Sequence, residues 1–295
     1  MPAPPGAASA SVCLAAPAKI NLFLRVVRRR PDGYHDLVSL MQKLALHDRV
    51  ELAVTGTGIT LTCPDSALPA DEGNLAFRAA VAFLERTGLR VGIDIVLSKT
   101  IPIAAGLGGG SSDAATVLLG LNELCGLPLR QDDLLALGTR LGADVPFFLL
   151  PAPTALATGT GVILDPRPAP GPWWVVLVNP GFPVSTAWAY ENLALTREGN
   201  PYMVGRVQAG GLSFQVGPGE WVGLGNDLEA VTAGRYPEIV AIKTELLTAG
   251  AVGALMSGSG PTVFGLFDEE QRAQAARSSL LQRHGPGVFL THTLS

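Results

Sequence analysis

Hydrophobic and other residues alternate through the stretch KINLFLRVV, which begins at Lys19. Its alternating apolar positions are Ile20, Leu22, Leu24 and Val26. A period of two predicts a half-buried β-strand, and the polar turn RRRPDGYHD ends it. Apolar runs at 37–44 and 49–54 predict two further strands. The chain is therefore expected to begin with strands.

A helix is predicted over NLAFRAAVAFLERTG, because Asn74 is a typical N-cap residue and Gly88 a typical helix end. Residues 92–99 then alternate as another strand and lead into the glycine-rich run PIAAGLGGGSS at 102–112. Helices over 111–125 and 132–141 follow. The order strand, glycine loop, helix is the most informative local feature of the chain.

The second half of the chain is predicted to have a different order of strands and helices. Strands are predicted at 173–179, 252–256, 262–267 and 287–291, with helices at 186–195, 236–249 and 269–283. The resulting βαββαβ order is that of a ferredoxin-like domain. A Pro- and Gly-rich stretch places the domain boundary near Pro166, whereas the Gly-rich segment 195–225 gives no readable pattern.

Composition narrows the class of protein. A chain of 295 residues with 47% hydrophobic and 16% charged residues predicts a folded protein of two domains. The net charge of -4 and the short basic run at 28–30 argue against a nucleic-acid partner. Three scattered cysteines indicate a reducing, cytoplasmic location. Residues 1–14 are predicted as a disordered tail, and no apolar run approaches the length of a membrane span.

The glycine run is predicted to bind an anion. Glycines let the backbone approach a phosphate closely, and the amide groups of the following helix point towards it. The hydroxyls of Ser111 and Ser112 add partners for phosphate or magnesium. The run has neither the lysine of a P-loop nor the position of a Rossmann loop. A simple helix cap or flexible hairpin is the alternative interpretation.

Three segments resemble the motifs of the GHMP kinases. The run at 102–112 resembles the second motif, P-x-x-x-G-L-G-S/G-S-S/A-A, whereas PAKINLFL at 17–24 resembles the first and SGSGPTVFGLF at 257–267 the third. The resemblance implies an ATP-dependent small-molecule kinase. Its phosphate-binding loop would consist of Pro102, Ile103, Ala104, Ala105, Gly106, Leu107, Gly108, Gly109, Gly110, Ser111 and Ser112.

The resemblance also implies a fold and a cofactor. The fold would be α+β, with an N-terminal α/β nucleotide-binding domain at 15–166, a C-terminal ferredoxin-like domain at 167–295 and the site in the cleft between them. Magnesium would bridge the phosphates, with Ser112 as its protein ligand. We expect a monomer or a weak homodimer.

Two residues receive catalytic roles from the resemblance. Asp144, in LGADVP, would be the general base that accepts the proton of the attacking hydroxyl, and Lys19 would be its cationic partner. By local pattern alone, Lys19 is a solvated strand lysine and Asp144 a loop or cap residue.

The remaining site residues divide between acceptor and nucleotide. Tyr34 and His35 would contact a cytosine in the acceptor, with Asn21 and Thr186 nearby. The alternative for Tyr34 and His35 is that they are surface residues of a tight turn. Asn74 and Lys99 match positions near the nucleobase of ATP, and their alternatives are a helix cap and a strand end. The residues 257–260 would support the phosphate loop, or form a plain β-turn.

Two other functions share part of this pattern. Another GHMP kinase, acting on homoserine or mevalonate, would have the glycine loop but not the cytosine-binding pair. A binding protein derived from the family would have lost catalysis. The presence of both Lys19 and Asp144 argues against the second.

Overall fold

The structure is a computed structural model, and it describes residues 11–64, 68–193, 212–217 and 219–295. The described residues form two compact units. One takes its residues from segments 1–17, 47–100 and 109–151, and the other from segments 18–46, 101–108 and 152–295. Because both units are discontinuous along the chain, the domain limits inferred from the sequence stay a prediction.

The described residues contain helix and strand in nearly equal shares, which fits an α+β fold. The strands are β1 (Ser11–Arg29), β2 (His35–Thr55), β3 (Ile59–Thr62), β4 (Gly92–Ser98), β5 (Thr154–Gly159), β6 (Ile163–Arg167), β7 (Trp174–Val178), β8 (Ser213–Gly217), β9 (Glu220–Gly223), β10 (Gly225–Asn226), β11 (Gly253–Met256), β12 (Val263–Phe267) and β13 (Val288–His292). The helices are α1 (Leu75–Thr87), α2 (Gly109–Leu124), α3 (Gln131–Leu141), α4 (Val145–Leu149), α5 (Thr186–Glu191), α6 (Asp227–Arg235), α7 (Glu238–Thr248) and α8 (Glu270–His284).

The first unit sets helices α1 to α4 beside the strands β2, β4 and β3. Strand β4 pairs antiparallel with the end of β2 and parallel with β3. Helix α1 begins and ends as predicted, because the Asn74 side chain accepts a hydrogen bond from the Ala76 N–H and Gly88 adopts a φ of 69°. Helix α2 approaches the sheet closely at Gly120, where a Cβ would lie 2.5 Å from Leu52 Cδ1.

The second unit contains a four-stranded antiparallel sheet in the order β11-β12-β7-β13. The chain reaches these strands in the order β7, helices α5 to α7, β11, β12, α8 and β13. This is the βαββαβ arrangement predicted for the second half. Its apolar core includes Val176 and Phe267 from the sheet, with Ile242 and Leu280 from the helices, all buried.

Several strands differ from their predicted limits. The runs at 37–44 and 49–54 are one strand, β2, because the Leu46 N–H donates to Thr291 Oγ1 at 2.7 Å and the chain stays extended between them. Strand β1 begins at Ser11, so residues 11–14 of the predicted tail are extended, with Leu14 lying against Gly120. Residues 1–10 of that tail lie outside the described part of the chain.

A hairpin occupies the Pro- and Gly-rich stretch after α4, where no strand is predicted. Strands β5 and β6 pair antiparallel, and Pro166 lies within β6 opposite Ala155. Among the described strands, β6 is paired only with β5, and an edge strand tolerates proline. Residues 194–211 of the predicted helix end and insertion lie outside the described residues. Across the described parts of the chain, no helix is long and apolar enough to cross a membrane.

Candidate active site

The glycine-rich run connects β4 to α2 in a backbone conformation that favours glycine. Gly106 and Gly108 have φ values of 77° and 72°, and Ala104 has a φ of 53°. Helix α2 begins at Gly109, two residues before its predicted start at 111. Its first turn, whose amide groups have no partner within the helix, is therefore formed by residues 109–112 of the predicted phosphate loop.

The centre of the loop is anchored by the first and third motifs. Ser257 Oγ donates to the Gly106 carbonyl at 2.9 Å, and the Lys19 N–H donates to the Leu107 carbonyl at 2.9 Å. A Cβ on Gly106 would lie only 2.2 Å from the Ser257 carbonyl oxygen. The second unit therefore brings the three motifs into direct contact, and a glycine is required at this point.

Lys19 begins a chain of buried polar side chains. Lys19 and Asn21 are 4% and 3% exposed, so the alternative of a solvated strand lysine is wrong. Lys19 Nζ donates to Asn21 Oδ1 at 2.8 Å, and Asn21 Nδ2 donates to Ser39 Oγ at 2.8 Å. Ser39 Oγ in turn donates to the Phe23 carbonyl at 2.7 Å. This chain fixes the orientation of Asn21, with its oxygen towards the ammonium.

The first four residues of the third motif, 257–260, lie in the turn between β11 and β12. Gly258 and Gly260 have φ values of 56° and 88°. Asn226 Nδ2 donates to the carbonyls of Met256 and Gly258 at 2.9 and 2.7 Å, which holds both sides of Ser257. The turn is therefore fixed by a side chain from the start of α6.

Two acceptor-site candidates lie beside this turn. Thr186 Oγ1 and Ser259 Oγ are 2.9 Å apart and share a hydrogen bond. A Cβ added to Gly258 would be 3.4 Å from Asn21 Oδ1. Thr186 and Asn21 therefore both lie against the third motif, and their place in the acceptor site stays a prediction.

The turn before β2 presents one exposed and one packed aromatic ring. Tyr34 is 68% exposed, whereas the His35 ring stacks on Tyr190 of α5 with ring centres 5.2 Å apart. Burial, together with the nearby charge of Arg29, lowers the pKa of His35 below its ordinary value. The neutral imidazole is therefore favoured near pH 7, with one nitrogen able to donate and the other able to accept.

The first unit holds the start of α2 and Asp144. Ser112 Oγ is fully buried and has no hydrogen-bond partner among the residues that the structure describes. Asp144 precedes α4, and its side chain does not cap that helix. A Cβ at Gly142 would lie 3.9 Å from Ser111 Oγ, so the turn that carries Asp144 approaches the start of α2.

Asn74 and Lys99 both have structural partners. Asn74 caps α1 through Oδ1, and its Nδ2 donates to the Pro69 carbonyl at 3.1 Å. Lys99 follows β4 and forms ion pairs with Asp48 and with Asp113, the latter at 2.6 Å. The nearness of Asn74 and Lys99 to the nucleobase stays a prediction.

The charges of this ion cluster shift one another. Burial raises the pKa of Asp113 to about 7, with the repulsion of Asp48 in the same direction and the attraction of Lys99 opposing both. Burial lowers the pKa of Lys99, but the two carboxylates outweigh it and the net direction is upward. Lys99 is therefore held as a cation between two buried acids.

The residues present fit a magnesium ion that is bound mainly through phosphate. The described residues contain no group of three or more His, Cys, Asp or Glu side chains that would hold a metal by themselves. Magnesium keeps waters and phosphate oxygens and needs one or two protein oxygens. The buried Ser112 Oγ, which has no hydrogen-bond partner within the described ranges, is an oxygen ligand of the required kind.

Sequence analysis did not identify several residues that contact the candidate site residues in the structure. Tyr190, Ser39 and Asn226 lie outside the three motifs, and each acts through a contact distant in sequence. Asp48 and Asp113 were also not predicted as site residues, although an acid directly after a glycine-rich run, as at Asp113, can be recognised in a sequence. Contacts between segments, rather than spacing within one, reveal this group.

Two family profiles match the chain. The profile of the GHMP kinases N terminal domain matches residues 74–151, and that of the GHMP kinases C terminal matches residues 216–287. The first match contains the start of α2 and Asp144, and the second contains the third motif.

Curated relatives match over nearly the whole chain. A protein of Geobacter metallireducens named 4-diphosphocytidyl-2-C-methyl-D-erythritol kinase is 52% identical over 271 residues, which cover 92% of this chain and 94% of the relative. A Syntrophotalea carbinolica protein of the same name is 51% identical over 93% of this chain and 96% of the relative.

Solved structures share the fold. A crystal structure of 4-(cytidine 5'-diphospho)-2C-methyl-D-erythritol kinase has a TM-score of 0.81 and 36% identity, covering 96% of this chain and all of its own. Homoserine kinase from Cytophaga hutchinsonii has a TM-score of 0.67 at 22% identity, covering 96% of this chain and 94% of its own, a likeness of fold alone.

Proposed function

Because this chain belongs to the GHMP kinase family, we propose that it transfers the γ-phosphate of ATP to the 2-hydroxyl of 4-diphosphocytidyl-2-C-methyl-D-erythritol. The reaction is a step of the non-mevalonate route to isoprenoid precursors. One observation carries the proposal: relatives named for this acceptor are about half identical to the chain across more than nine-tenths of its length.

The phosphate donor follows from the family. GHMP kinases use ATP, and the glycine loop with the first turn of α2 supplies amide groups suited to its phosphates. Lys19 is fixed beside Leu107 of that loop by the backbone hydrogen bond between them. Phosphoryl transfer needs little covalent chemistry from the protein, so positioning and charge neutralisation are the main contributions of these groups.

The proton of the acceptor is assigned to Asp144. A carboxylate within hydrogen-bond reach of the 2-hydroxyl accepts its proton as the oxygen attacks the γ-phosphorus. The Lys19 ammonium, oriented by Asn21, would stabilise negative charge that develops on the attacking alcohol oxygen. Asp144 and Lys19 are therefore proposed as the catalytic residues, with roles that follow from the motif match and from the chemistry of their side chains.

Two further groups complete the proposal. Magnesium, held by Ser112 and by phosphate oxygens, would neutralise charge on the transferred phosphate when bound. The exposed ring of Tyr34 is suited to stacking on cytosine, and the neutral His35 is suited to hydrogen bonding with it.

A panel of acceptors tests this function. Purified protein with ATP and magnesium is offered the cytidylyl acceptor, homoserine, mevalonate and galactose in turn, and ADP release is followed by a coupled assay. We expect turnover with the cytidylyl acceptor alone. The matched control is the same panel with Lys19→Met, which removes the ammonium and retains most of the side-chain volume.

The other outcomes identify the alternatives. Turnover with mevalonate or homoserine alone would assign the chain to a different GHMP kinase. Silence with all four acceptors, combined with retained ATP binding, would indicate a binding protein of the family. A cytoplasmic location and a monomeric or weakly dimeric state accompany the proposal as predictions, to be checked by fractionation and by sedimentation.

A further inference from the structure

Three buried ionisable residues connect the two ends of the glycine loop. Lys99 is the first residue after β4, and Asp113 follows Ser112 in the first turns of α2. Lys99 Nζ donates to Asp113 Oδ2 at 2.6 Å and also to Asp48. The contact joins residues 14 positions apart, between which the whole phosphate loop is contained.

Asp48 binds the same end of the loop a second time. Its Oδ1 accepts a hydrogen bond from the Thr100 N–H at 2.6 Å, while Oδ2 accepts from Lys99. The Asp48 carboxylate therefore fixes both the side chain and the backbone at the point where the loop begins. Lysine suits the centre of this cluster, because a compact ammonium with three donors can serve two carboxylates that face it from different elements.

Burial makes the cluster sensitive to the loss of any one of its three side chains. The side chains of Asp48, Lys99 and Asp113 are 0%, 7% and 2% exposed. Loss of Lys99 would leave two buried carboxylates without a counter-charge, and loss of either carboxylate would remove a buried ionic partner of the Lys99 ammonium. Isolated surface pairs do not carry this penalty. The position of each member is therefore tightly coupled to that of the other two.

The loop between these ends needs such a constraint. It contains two glycines and an alanine at positive φ, a backbone region that is rarely populated unless the surroundings enforce it. Fixing the ends of a flexible segment lowers the conformational entropy that is lost when the segment is ordered around a ligand. Asp113 is also adjacent to Ser112, so its anchoring fixes the first turn of α2.

We propose that Asp48, Lys99 and Asp113 form an ionic clasp that closes the base of the glycine loop and positions it for phosphate. The three are positioning residues, and they act on the nucleotide through the loop. This inference rests on the proposed function for its kinetic consequences but not for its structural ones. It gives Lys99 a task that a residue at a strand end would not have.

The variant Asp113→Asn tests the clasp, because it keeps the shape of the side chain and removes its charge. We expect the KM for ATP to rise about tenfold or more, with the KM for the acceptor within about twofold of the parent, since small displacements of a binding group cost one to two orders of magnitude. Amide hydrogen exchange in residues 101–110 should become about tenfold faster, with little change elsewhere.

A second variant and a matched control keep the test decisive. Asp48→Asn approaches the clasp from β2 and should give the same selective rise in the KM for ATP. Asp133→Asn makes the identical change in the half-exposed ion pair with Arg86, and it should leave both KM values and the exchange of 101–110 unchanged. Circular dichroism establishes that each variant is folded.

The results separate the clasp from the proposed function. A folded Asp113→Asn protein with parental KM for ATP and parental loop exchange would overturn the clasp, as would equal losses for both substrates. If both clasp variants were unfolded, the cluster would be a folding element and the clasp would be wrong. Absence of turnover in the parent protein would count against the proposed function, while loop exchange would still decide the clasp.

Discussion

Ser257 Oγ donates a hydrogen bond of 2.9 Å to the carbonyl of Gly106, joining residues 151 positions apart. The turn of the third motif is thereby attached to the centre of the glycine loop. Asn226 holds the same turn from its other side, through the carbonyls of Met256 and Gly258. The third motif is therefore a support for the loop, so its effect on nucleotide binding can be tested at the point of contact.

Replacing Gly106 by alanine tests that support. A Cβ would lie 2.2 Å from the Ser257 carbonyl oxygen, and the φ of 77° is unfavourable for alanine. We expect a loss of about 1–3 kcal/mol in the free energy of unfolding and a fall of about a hundredfold in kcat/KM for ATP. Chemical denaturation and steady-state kinetics measure the two effects.

Gly234→Ala is the control for this change. Gly234 lies within α6, and a Cβ there would meet no atom within 4 Å. Alanine is favoured over glycine in a helix, so this variant should be as stable as the parent or slightly more so. Equal behaviour of the two variants would show that the contact with Ser257 has no special role.

Asp144→Asn removes the proposed base without changing the size of the side chain. We expect kcat to fall by about two to four orders of magnitude, the range that general bases contribute. The dissociation constant for ATP, measured by calorimetry, should change little because the base acts on the acceptor. Asp132→Asn, on α3, is the matched control, and loss of ATP binding by Asp144→Asn would contradict the assigned role.

Local patterns predicted most of the elements that surround these residues. Helix α1 has the predicted cap at Asn74 and the predicted end at Gly88, because both signals are local backbone chemistry. The prediction of a GHMP kinase is confirmed by the family profiles and by the curated relatives. The three motifs were sufficient to predict the family because each contains residue types that the backbone conformation or the charge at their positions requires.

Burial and long-range contacts could not be predicted from the sequence pattern. Lys19 sits in the polar phase of an alternating strand, yet it is buried, because β1 is covered on both faces between residues 18 and 24. Tyr190 acquires its place only when α5 stacks it on His35. Such contacts depend on tertiary packing, and neither periodicity nor spacing along one segment reports them.

Tyr190→Leu tests the contribution of that stacking to acceptor binding. Without its partner ring, His35 loses an interaction of about 0.5–1.5 kcal/mol. The KM for the acceptor should therefore rise about two- to tenfold, while the KM for ATP stays unchanged. Tyr190→Phe keeps the ring and should behave as the parent; a rise in both KM values with Tyr190→Leu would indicate general damage instead.

The titration of His35 provides a prediction on pH. Burial and Arg29 lower its pKa in the folded protein, so the folded state binds this proton less tightly than the unfolded chain. The contribution of His35 to stability is therefore present above the ordinary histidine value of 6.5 and is lost as pH falls below it. Removing the nearby cation with Arg29→Gln should raise the pKa of His35.

Nuclear magnetic resonance of the histidine ring measures this shift. The His35 signal is assigned by its loss in a His35→Asn variant, since the chain has four histidines. Arg277→Gln, on α8, serves as the matched control and should leave the titration midpoint unchanged. A midpoint that moves downward in Arg29→Gln would contradict the assigned cause.

The position of the new phosphate tests the central claim most directly. The parent protein is incubated with ATP, magnesium and 4-diphosphocytidyl-2-C-methyl-D-erythritol, and the product is examined by proton-coupled ³¹P spectroscopy. Carbon 2 of the acceptor carries a methyl group and no hydrogen, so a phosphate on the 2-hydroxyl should give a new monophosphate signal without three-bond proton splitting. A new signal split into a triplet or doublet, or no new signal while ATP is bound, would contradict the proposed reaction.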